Sequence, residues 1–492
     1  MGGFVMQSCY AIAAPHSLHE RTGEGGIRTL GSLLDYGALA KRCFQPLSHL
    51  TKNWPEYREE LLIANLSIIS WRRQSCLRIF QKGVTVEQAG LPASHGLKQL
   101  AMISEEEALG RILEKVAPLR ERTLPLLRAL GCFSARDVAA RLSLPNFDNS
   151  AMDGYAVVAS DCRCGAHMHV VGEQPAGPDR HLCISHGEAV RIFTGAPIPS
   201  GADAVVMQED VARDGNEIVI NVDVAPGEFV RRRGCDLAEG QIILAKGEPI
   251  HAAAIALLAS QGFADVTVGG EVSTAIISTG DELVKPGERL EAGQIYESNS
   301  ALLDALLQRC GAIVKSVEHS GDERGPLVEA IQRGIENDIL IINGGVSVGE
   351  HDLVKAALRD LGGQIDIWRV AIKPGKPFLF GNIGGCLVFG LPGNPVSAFV
   401  TFLQFVRSAI LKLMGAANLD LPKVPAKLTV DLTNDGGRAH YIRGKLEHGK
   451  FTPVGRQESH ALFGLSQSNA LLRLAAGESL TADRIVDVQV WD

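Results

Sequence analysis

The sequence predicts a multidomain fold, α/β in one part and β in the rest, on three observations. From Thr274 to about Met414, short apolar runs at 275–278, 312–317, 339–342, 365–370 and 386–389 alternate with helical patterns near 299–310, 324–335, 351–361 and 395–414. Strands alternating with helices make a doubly wound α/β domain. Residues 157 to 240 break into short apolar runs (Val170-Val171, Ala189 to Phe193, Ala204 to Met207, Ile218 to Ile220, Phe229-Val230) spaced by Gly/Pro turns, and read as all-β. After Pro422 and Pro425, which punctuate a linker, the runs 427–432, 441–447, 451–454 and 485–490 read as strands of a small β-rich domain. At 492 residues the chain has room for roughly three domains.

Ahead of these, Ile103 to Leu130 carries apolar residues at Ala108, Ile112, Leu113, Val116 and Leu119, a helical repeat. It opens with a capping box, Ser104 followed three residues later by Glu107. Residues 1–101 lack such order, mixing isolated Gly, Arg, Cys and Trp without a sustained period. The expectation is a poorly ordered extension, or the product of a start codon placed too early. Its opening, MGGFVMQSCYAIAAP, has no positive n-region and no proper apolar h-region, so no signal peptide is expected.

Lys+Arg 48 against Asp+Glu 56 leaves a net charge of −8, which argues against nucleic acid or a membrane surface as a partner through bulk charge. No apolar run reaches eighteen residues unbroken, so no transmembrane helix is expected. Ten cysteines are scattered without a C-x-x-C pair, a pattern that fits free thiols in a reducing cytosol and a cytoplasmic protein. Cys162-x-Cys164, with His167 and His169 nearby, is the one cluster that suggests a metal site, and its spacing is wrong for an ordinary zinc finger.

The α/β region carries the chemistry. Ile339 to Ile342 reads as a strand buried on both faces. It runs into Gly344-Gly345, Ser347 and Gly349, then Glu350-His351-Asp352 and a helical pattern. A strand, a glycine turn and a helix start form a ready anion site, because glycine lets the backbone approach and unpaired N–H groups favour negative charge. Carboxylates just past the turn suit a metal ion, or amide and ammonium groups of a ligand. The device recurs at Ser278-Thr279-Gly280-Asp281-Glu282 and at Gly390-Leu391-Pro392-Gly393-Asn394-Pro395, with Lys373 and Lys376 on a stiff Pro/Gly frame between strands. A tight turn explains any one of these. Three together point to a crevice at the carboxyl edge of an open sheet.

Two further stretches are chemically loaded. The loop 144–157 holds Asp148 and Asp153 around Asn149 and Ser150, with Phe147, Met152 and Tyr155, more than a solvent turn needs. Arg231-Arg232-Arg233-Gly234-Cys235-Asp236 is a solvated charge run or a grip for phosphate. In the tail, Ser459-His460 and Gln467-Ser468-Asn469-Ala470 are either contacts or turn chemistry, with turn chemistry the preferred reading.

Eight blocks in order, FDNSAMDGYAV (147–157), RIFTGAPIPSGADAVVMQED (191–210), RRRGCD (231–236), STGDEL (278–283), GQIYESNS (293–300), NGGVSVGEHD (343–352), KPGKP (373–377) and GLPGNPVSAF (390–399), resemble the molybdopterin molybdenumtransferases. These enzymes insert molybdenum in the last step of molybdenum-cofactor synthesis and share their architecture with the E domain of gephyrin. The resemblance covers nearly all of Met102–Asp492 and none of the first hundred residues. It implies a homodimer whose molybdopterin-binding α/β domain is about 272–420 and whose C-terminal β-barrel is about 421–492. It also implies a β-rich domain, about 139–240, inserted into one built from 102–138 and 241–271. The implied reaction takes adenylylated molybdopterin and molybdate, releases AMP and uses a divalent metal, usually magnesium. A molybdopterin adenylyltransferase and molybdoenzymes or cofactor-maturation proteins are the implied transient partners.

By that resemblance Gly344, Gly345, Ser347, Gly349 and Gly393 cradle phosphate, with Lys373 and Lys376 as point charges. Ser278, Thr279, Gly280, Asn299, Pro392, Asn394 and Pro395 complete the substrate contacts. Glu282, Asp322 and Asp352 hold the metal, and Arg369 and Lys373 meet molybdate. Asp153, Thr194 and Asp236 come from the partner subunit, and whether Asp148 or Asp153 faces the substrate stays open. Arg369 stands where relatives often have lysine, keeping the charge with a different geometry. Two other readings remain. One is a nucleotide-cleaving hydrolase similar to the competence-damage-inducible proteins, which lack FDNSAMDGYAV and the inserted domain. The other is a dimeric scaffold of the gephyrin kind.

Overall fold

The computed structural model describes residues 102–346 and 353–491. The expectation for residues 1–101 falls outside them. Helix α1 (Glu105–Lys115) begins as the capping box requires, with the Ser104 hydroxyl accepting the Glu107 N–H at 3.1 Å. It does not run to Leu130. It stops at Lys115 because Pro118 cannot continue a helix, and Arg122–Pro125 becomes a strand paired antiparallel with Asp265–Val268.

Six strands form the sheet between residues 154 and 220: β1 (Gly154–Val157), β2 (His167–Gln174), β3 (Glu188–Ile192), β4 (Ala204–Met207), β5 (Val211–Asp214) and β6 (Glu217–Ile220). Their order is β4-β1-β3-β2-β6-β5. The sheet's flanks return to the preceding segment through Ile242–Leu244, which pairs with Val138–Ala139, and helix α2 (Ala252–Ser260) follows. Cys162 is buried and its thiol donates to the Val158 carbonyl, while Cys164 and His167 are exposed. No group of three or more metal-capable side chains occurs there or elsewhere among the described residues.

The α/β domain contains β7 (Ser273–Thr279), α3 (Asn299–Arg309), β8 (Ile313–Ser320), α4 (Arg324–Gly334), β9 (Ile339–Asn343), α5 (Leu353–Asp360), β10 (Gln364–Arg369), β11 (Pro377–Ile383), β12 (Cys386–Leu391) and α6 (Pro395–Leu413). The sheet order is β8-β7-β9-β12-β11-β10, parallel from β8 to β12 and antiparallel at the β12–β11 and β11–β10 pairs. The extra strand β11 escapes a sequence reading because it opens on Pro377, which has no N–H to give a ladder. Side chains of β9 alternate between two cores. Ile339 and Ile341 meet α3 and α6 on one face, and Leu340 and Ile342 meet α4 and α5 on the other. This two-sided burial explains the uninterrupted apolar run. Helix α6 is long and apolar enough to cross a membrane by length and composition, but 83% of it is buried as the central core helix.

The C-terminal strands β13 (Lys423–Leu428), β14 (Ala439–Glu447), β15 (Lys450–Pro453), β16 (Ala470–Leu474) and β17 (Ile485–Val490) close as β14-β15-β13-β17-β16 and back to β14, a five-stranded barrel. Pro425 lies inside β13, opposite Asp487, rather than in a linker. Phe451, Leu428, Leu472 and Val488 fill the barrel. Closure leaves no free edge along these strands.

Candidate active site

The chain passes from β7 outward to β8 and then back across to β9, so the strand order reverses between β7 and β9. At such a switch point the loops leaving the carboxyl ends of the strands diverge and open a crevice. Three turns meet there. Thr279 leads into Gly280 (φ +138°), Asn343 into Gly344 and Gly345 (φ +88° and +64°), and Leu391 into Pro392-Gly393. A Cβ at Gly344 would stand 2.7 Å from the Thr279 carbonyl, and one at Gly345 would stand 2.9 Å from the Thr279 hydroxyl. Glycine is therefore needed there for both backbone angle and space.

An amide pair ties the turns together. Asn299, at the start of α3, donates through Nδ2 to Asn343 Oδ1 at 2.8 Å and to the Gly393 carbonyl at 2.6 Å. Asn343 Nδ2 donates to the Pro392 carbonyl at 2.8 Å. Both carbonyls can only accept, which fixes the orientation of both amides.

The barrel supplies the opposite wall. Ile372–Lys373 pairs parallel with Ala439–His440 at the head of β14, which carries Lys373 to the crevice. Arg438 Nη1 donates to the Ile372 carbonyl at 3.2 Å. Arg443, 1% exposed, donates to the Arg456 and Glu458 carbonyls and so shapes the loop that ends in Ser459-His460. Asn394 Nδ2 then reaches Ser459 Oγ at 2.9 Å. The result is a cleft of about 1160 Å³ between sheet edge and barrel.

Thr279, Gly280, Glu282, Asn299, Asp322, Gly344, Gly345, Lys373, Lys376, Pro392, Gly393, Asn394 and Pro395 all line this cleft. Ser278 does not: it is buried in β7 with its hydroxyl 3.3 Å from His319 Nδ1. Arg369 does not either. It ends β10 opposite Pro377, with its Nε sealed from solvent and unpartnered. Ser347, Gly349 and Asp352 lie outside the described residues. Ser459 and His460 line the cleft, so turn chemistry is not their whole account, whereas Ser468 and Asn469 do serve the local turn through the Gly464 carbonyl and Leu446. Tyr296, within the GQIYESNS block, lines it too, as do Arg438, His440 and Gln457, which carry no sequence signal, being single polar residues within strand or loop patterns.

Four acidic residues line the cleft, Glu282, Glu297, Asp322 and Glu458; Glu282 and Asp322 stand on the loops that leave β7 and β8, and the Asp281 carboxylate accepts the Asp322 N–H at 3.0 Å. An oxygen-only donor set with one or two carboxylates suits magnesium, which fills its remaining positions with water and substrate phosphate.

The inserted sheet presents a separate cluster, none of it in the cleft of the same chain. Asp153 accepts the Thr194 N–H at 2.7 Å and the Thr194 hydroxyl at 2.8 Å. The Thr194 backbone and then its hydroxyl hold the Asp153 carboxyl below the usual range. Asp148 accepts the Arg233 N–H at 2.7 Å and Arg232 Nη1 at 2.7 Å, which lower its pKa in that order. Asp148 is thus the strut of the arginine loop, and Asp236 follows in that loop with its N–H on the Leu144 carbonyl.

Three family models cover the chain in sequence: the MoeA N-terminal region (domain I and II) over residues 103–262, a probable molybdopterin binding domain over 275–412, and the MoeA C-terminal region (domain IV) over 425–491. The chain is 37% identical over 398 residues to the molybdopterin molybdenumtransferase of Haemophilus influenzae, covering 78% of this chain and 98% of that one. The chain belongs to the molybdopterin molybdenumtransferase family. A second member of the family, molybdopterin molybdenumtransferase 2 of Mycobacterium tuberculosis, is 36% identical over 411 residues, 80% of this chain and all of that one. The solved molybdopterin biosynthesis MoeA protein of Pyrococcus horikoshii matches with a TM-score of 0.69 at 30% identity, across 80% of this chain and 100% of that chain. The family's multidomain architecture is therefore that of this chain, with the molybdopterin-binding model falling on the domain whose strand ends build the cleft.

Proposed function

We propose that this protein transfers molybdenum from molybdate to adenylylated molybdopterin with release of AMP, in molybdenum-cofactor biosynthesis. The observation that carries the reading is the switch-point cleft, where three strand-end turns, Lys373 and Lys376, and the strand-end carboxylates Glu282 and Asp322 converge on one space. A substrate with a phosphoanhydride link needs such parts. The turn N–H groups and Lys373 and Lys376 neutralise phosphate and molybdate oxygens. Glu282 and Asp322, with Asp352, would hold a divalent cation such as magnesium, which supplies charge stabilisation at the phosphoanhydride when bound. The Asn299–Asn343 pair keeps the turns in register so that these groups converge. Arg369 keeps only a supporting place in this reading, as a long-range positive charge.

The same reading takes the protein as a cytoplasmic homodimer, with 139–240 inserted between 102–138 and 241–271, and with 272–420 and 421–492 as the cleft-bearing domains. Asp153, Thr194 and Asp236 of one subunit then close the cleft of the other. Asp153 is the better substrate-facing acid, because Asp148 is committed to Arg232 and the Arg233 backbone within its own loop.

The test mixes the full-length chain with adenylylated molybdopterin, magnesium and molybdate, and follows AMP together with activation of a cofactor-free molybdoenzyme. Molybdate-dependent AMP release with an active acceptor is the expected result. AMP release that ignores molybdate would replace the transferase with a hydrolase.

A further inference from the structure

One side chain in the cleft wall differs in kind from the cations beside it. His440 lines the cleft at the head of β14 and is 8% exposed. It stands opposite Lys373 in the parallel ladder that joins barrel and α/β domain. Its Nε2 is sealed from solvent and has no hydrogen-bond partner. An imidazole with one nitrogen shut into the wall can meet a ligand only through the other, Nδ1.

The surroundings decide what that nitrogen offers. Burial comes first, then Lys373, Arg438 and Arg443, in pushing the His440 pKa down to about 4. At neutral pH the ring is uncharged and carries a single N–H. Nε2 faces no hydrogen-bond acceptor, so the neutral ring's proton gains a partner only on Nδ1, and that tautomer offers an N–H to an incoming anion. Lysine ammonium groups attract any anion and impose little direction, whereas a ring held in a strand fixes a donor in space.

We propose that His440 is a specificity-determining residue for the oxyanion substrate, its Nδ1–H donating a hydrogen bond to a molybdate oxygen held beside Lys373. This rests on the transferase reading above. The ring adds a fixed, uncharged donor beside the Lys373 ammonium, so its loss weakens molybdate without touching the pterin substrate.

The experiment measures molybdate binding to the full-length chain by equilibrium dialysis, for wild type, His440→Gln and His440→Phe, with both KM values read from AMP release. Glutamine keeps an N–H donor, while phenylalanine fills the space without one. The expected result is a molybdate Kd about tenfold higher for His440→Phe, the worth of one hydrogen bond to a charged acceptor. His440→Gln stays close to wild type, and only the KM for molybdate rises in the phenylalanine variant. Wild-type affinity in His440→Phe overturns the proposal and leaves the transferase reading standing. So does equal damage by both substitutions to both KM values, which marks a structural role. A wild-type chain that binds no molybdate removes the proposal and the transferase reading together.

Discussion

Asp322 and Lys373 reach the same cleft from different elements, and their removal should separate two parts of the reaction. Asp322 is exposed on the loop after β8 and makes no packing contribution. Asp322→Ala is expected to cut AMP release by about a hundredfold or more, because a cation site is worth several kcal/mol of charge stabilisation. Its melting temperature should match wild type, and an active variant would remove Asp322 from the metal site. Lys373→Ala should instead raise the molybdate requirement, and unchanged kinetics at low molybdate would exclude it. His440 adds a stability signature. Its folded pKa of about 4 lies below the ordinary 6.5, so the unfolded chain binds the extra proton between those values. The contribution is complete above pH 6.5 and is lost as pH falls toward 4. Denaturant titrations across that window should show wild type losing about 3 kcal/mol relative to His440→Gln as pH falls from 6.5 to 4, the free energy of the shift. Parallel pH dependences would show that the ring titrates normally. None of this was legible in HYIR (440–443), where a histidine inside a strand pattern has no distinguishing period. Lys373, by contrast, announced itself through the Pro/Gly frame of KPGKP.

At the scale of elements, the site depends on three strand-end turns keeping one register, and the Asn299–Asn343 pair is the part that enforces it. Asn299→Leu would remove both Nδ2 bonds and leave Asn343 Oδ1 and the Gly393 carbonyl without their donor. Each buried group stranded in this way costs about 1–3 kcal/mol. The variant should therefore unfold at lower denaturant and lose activity beyond its loss of stability, because the glycine turns no longer converge. A variant as stable and active as wild type would show the clamp to be incidental. The glycine turns were readable in advance, since a strand run, glycine and a polar cluster is a local pattern with a local cause. What closed the cleft was less readable. Pro377 hid β11 and Pro425 hid part of β13, because proline argues against a strand interior and both strands tolerate it through their pairing. Ser459-His460 looked like a turn because its distance from the lysines in sequence conceals the ladder between Lys373 and His440 that brings barrel and sheet edge together. The inward face of a barrel loop is set by closure, which is a non-local property.

At the scale of the whole molecule, the two acidic clusters make a test of how a complete site is assembled. Glu282 and Asp322 lie in the cleft, while Asp153 and Thr194 form their own exposed cluster on the inserted sheet, outside the cleft of the same chain. A two-fold dimer would make each active site from the α/β domain of one subunit and the inserted domain of the other. Asp153→Ala and Asp322→Ala should then each abolish activity alone, since every site in either homodimer carries one defect. In a mixed dimer the two defects fall in the same site, and the second site is wholly wild type. Random exchange at equal amounts makes about half the dimers mixed, each with one working site, so the mixture should recover about a quarter of wild-type activity. The measurement is AMP release before and after the two inactive proteins are unfolded together and refolded. No recovery, with mixed dimers demonstrably present, would place both clusters within one chain's site or leave Asp153 out of the chemistry. Recovery at about a quarter would fix both the dimer and the route by which the arginine-braced inserted domain reaches the cleft.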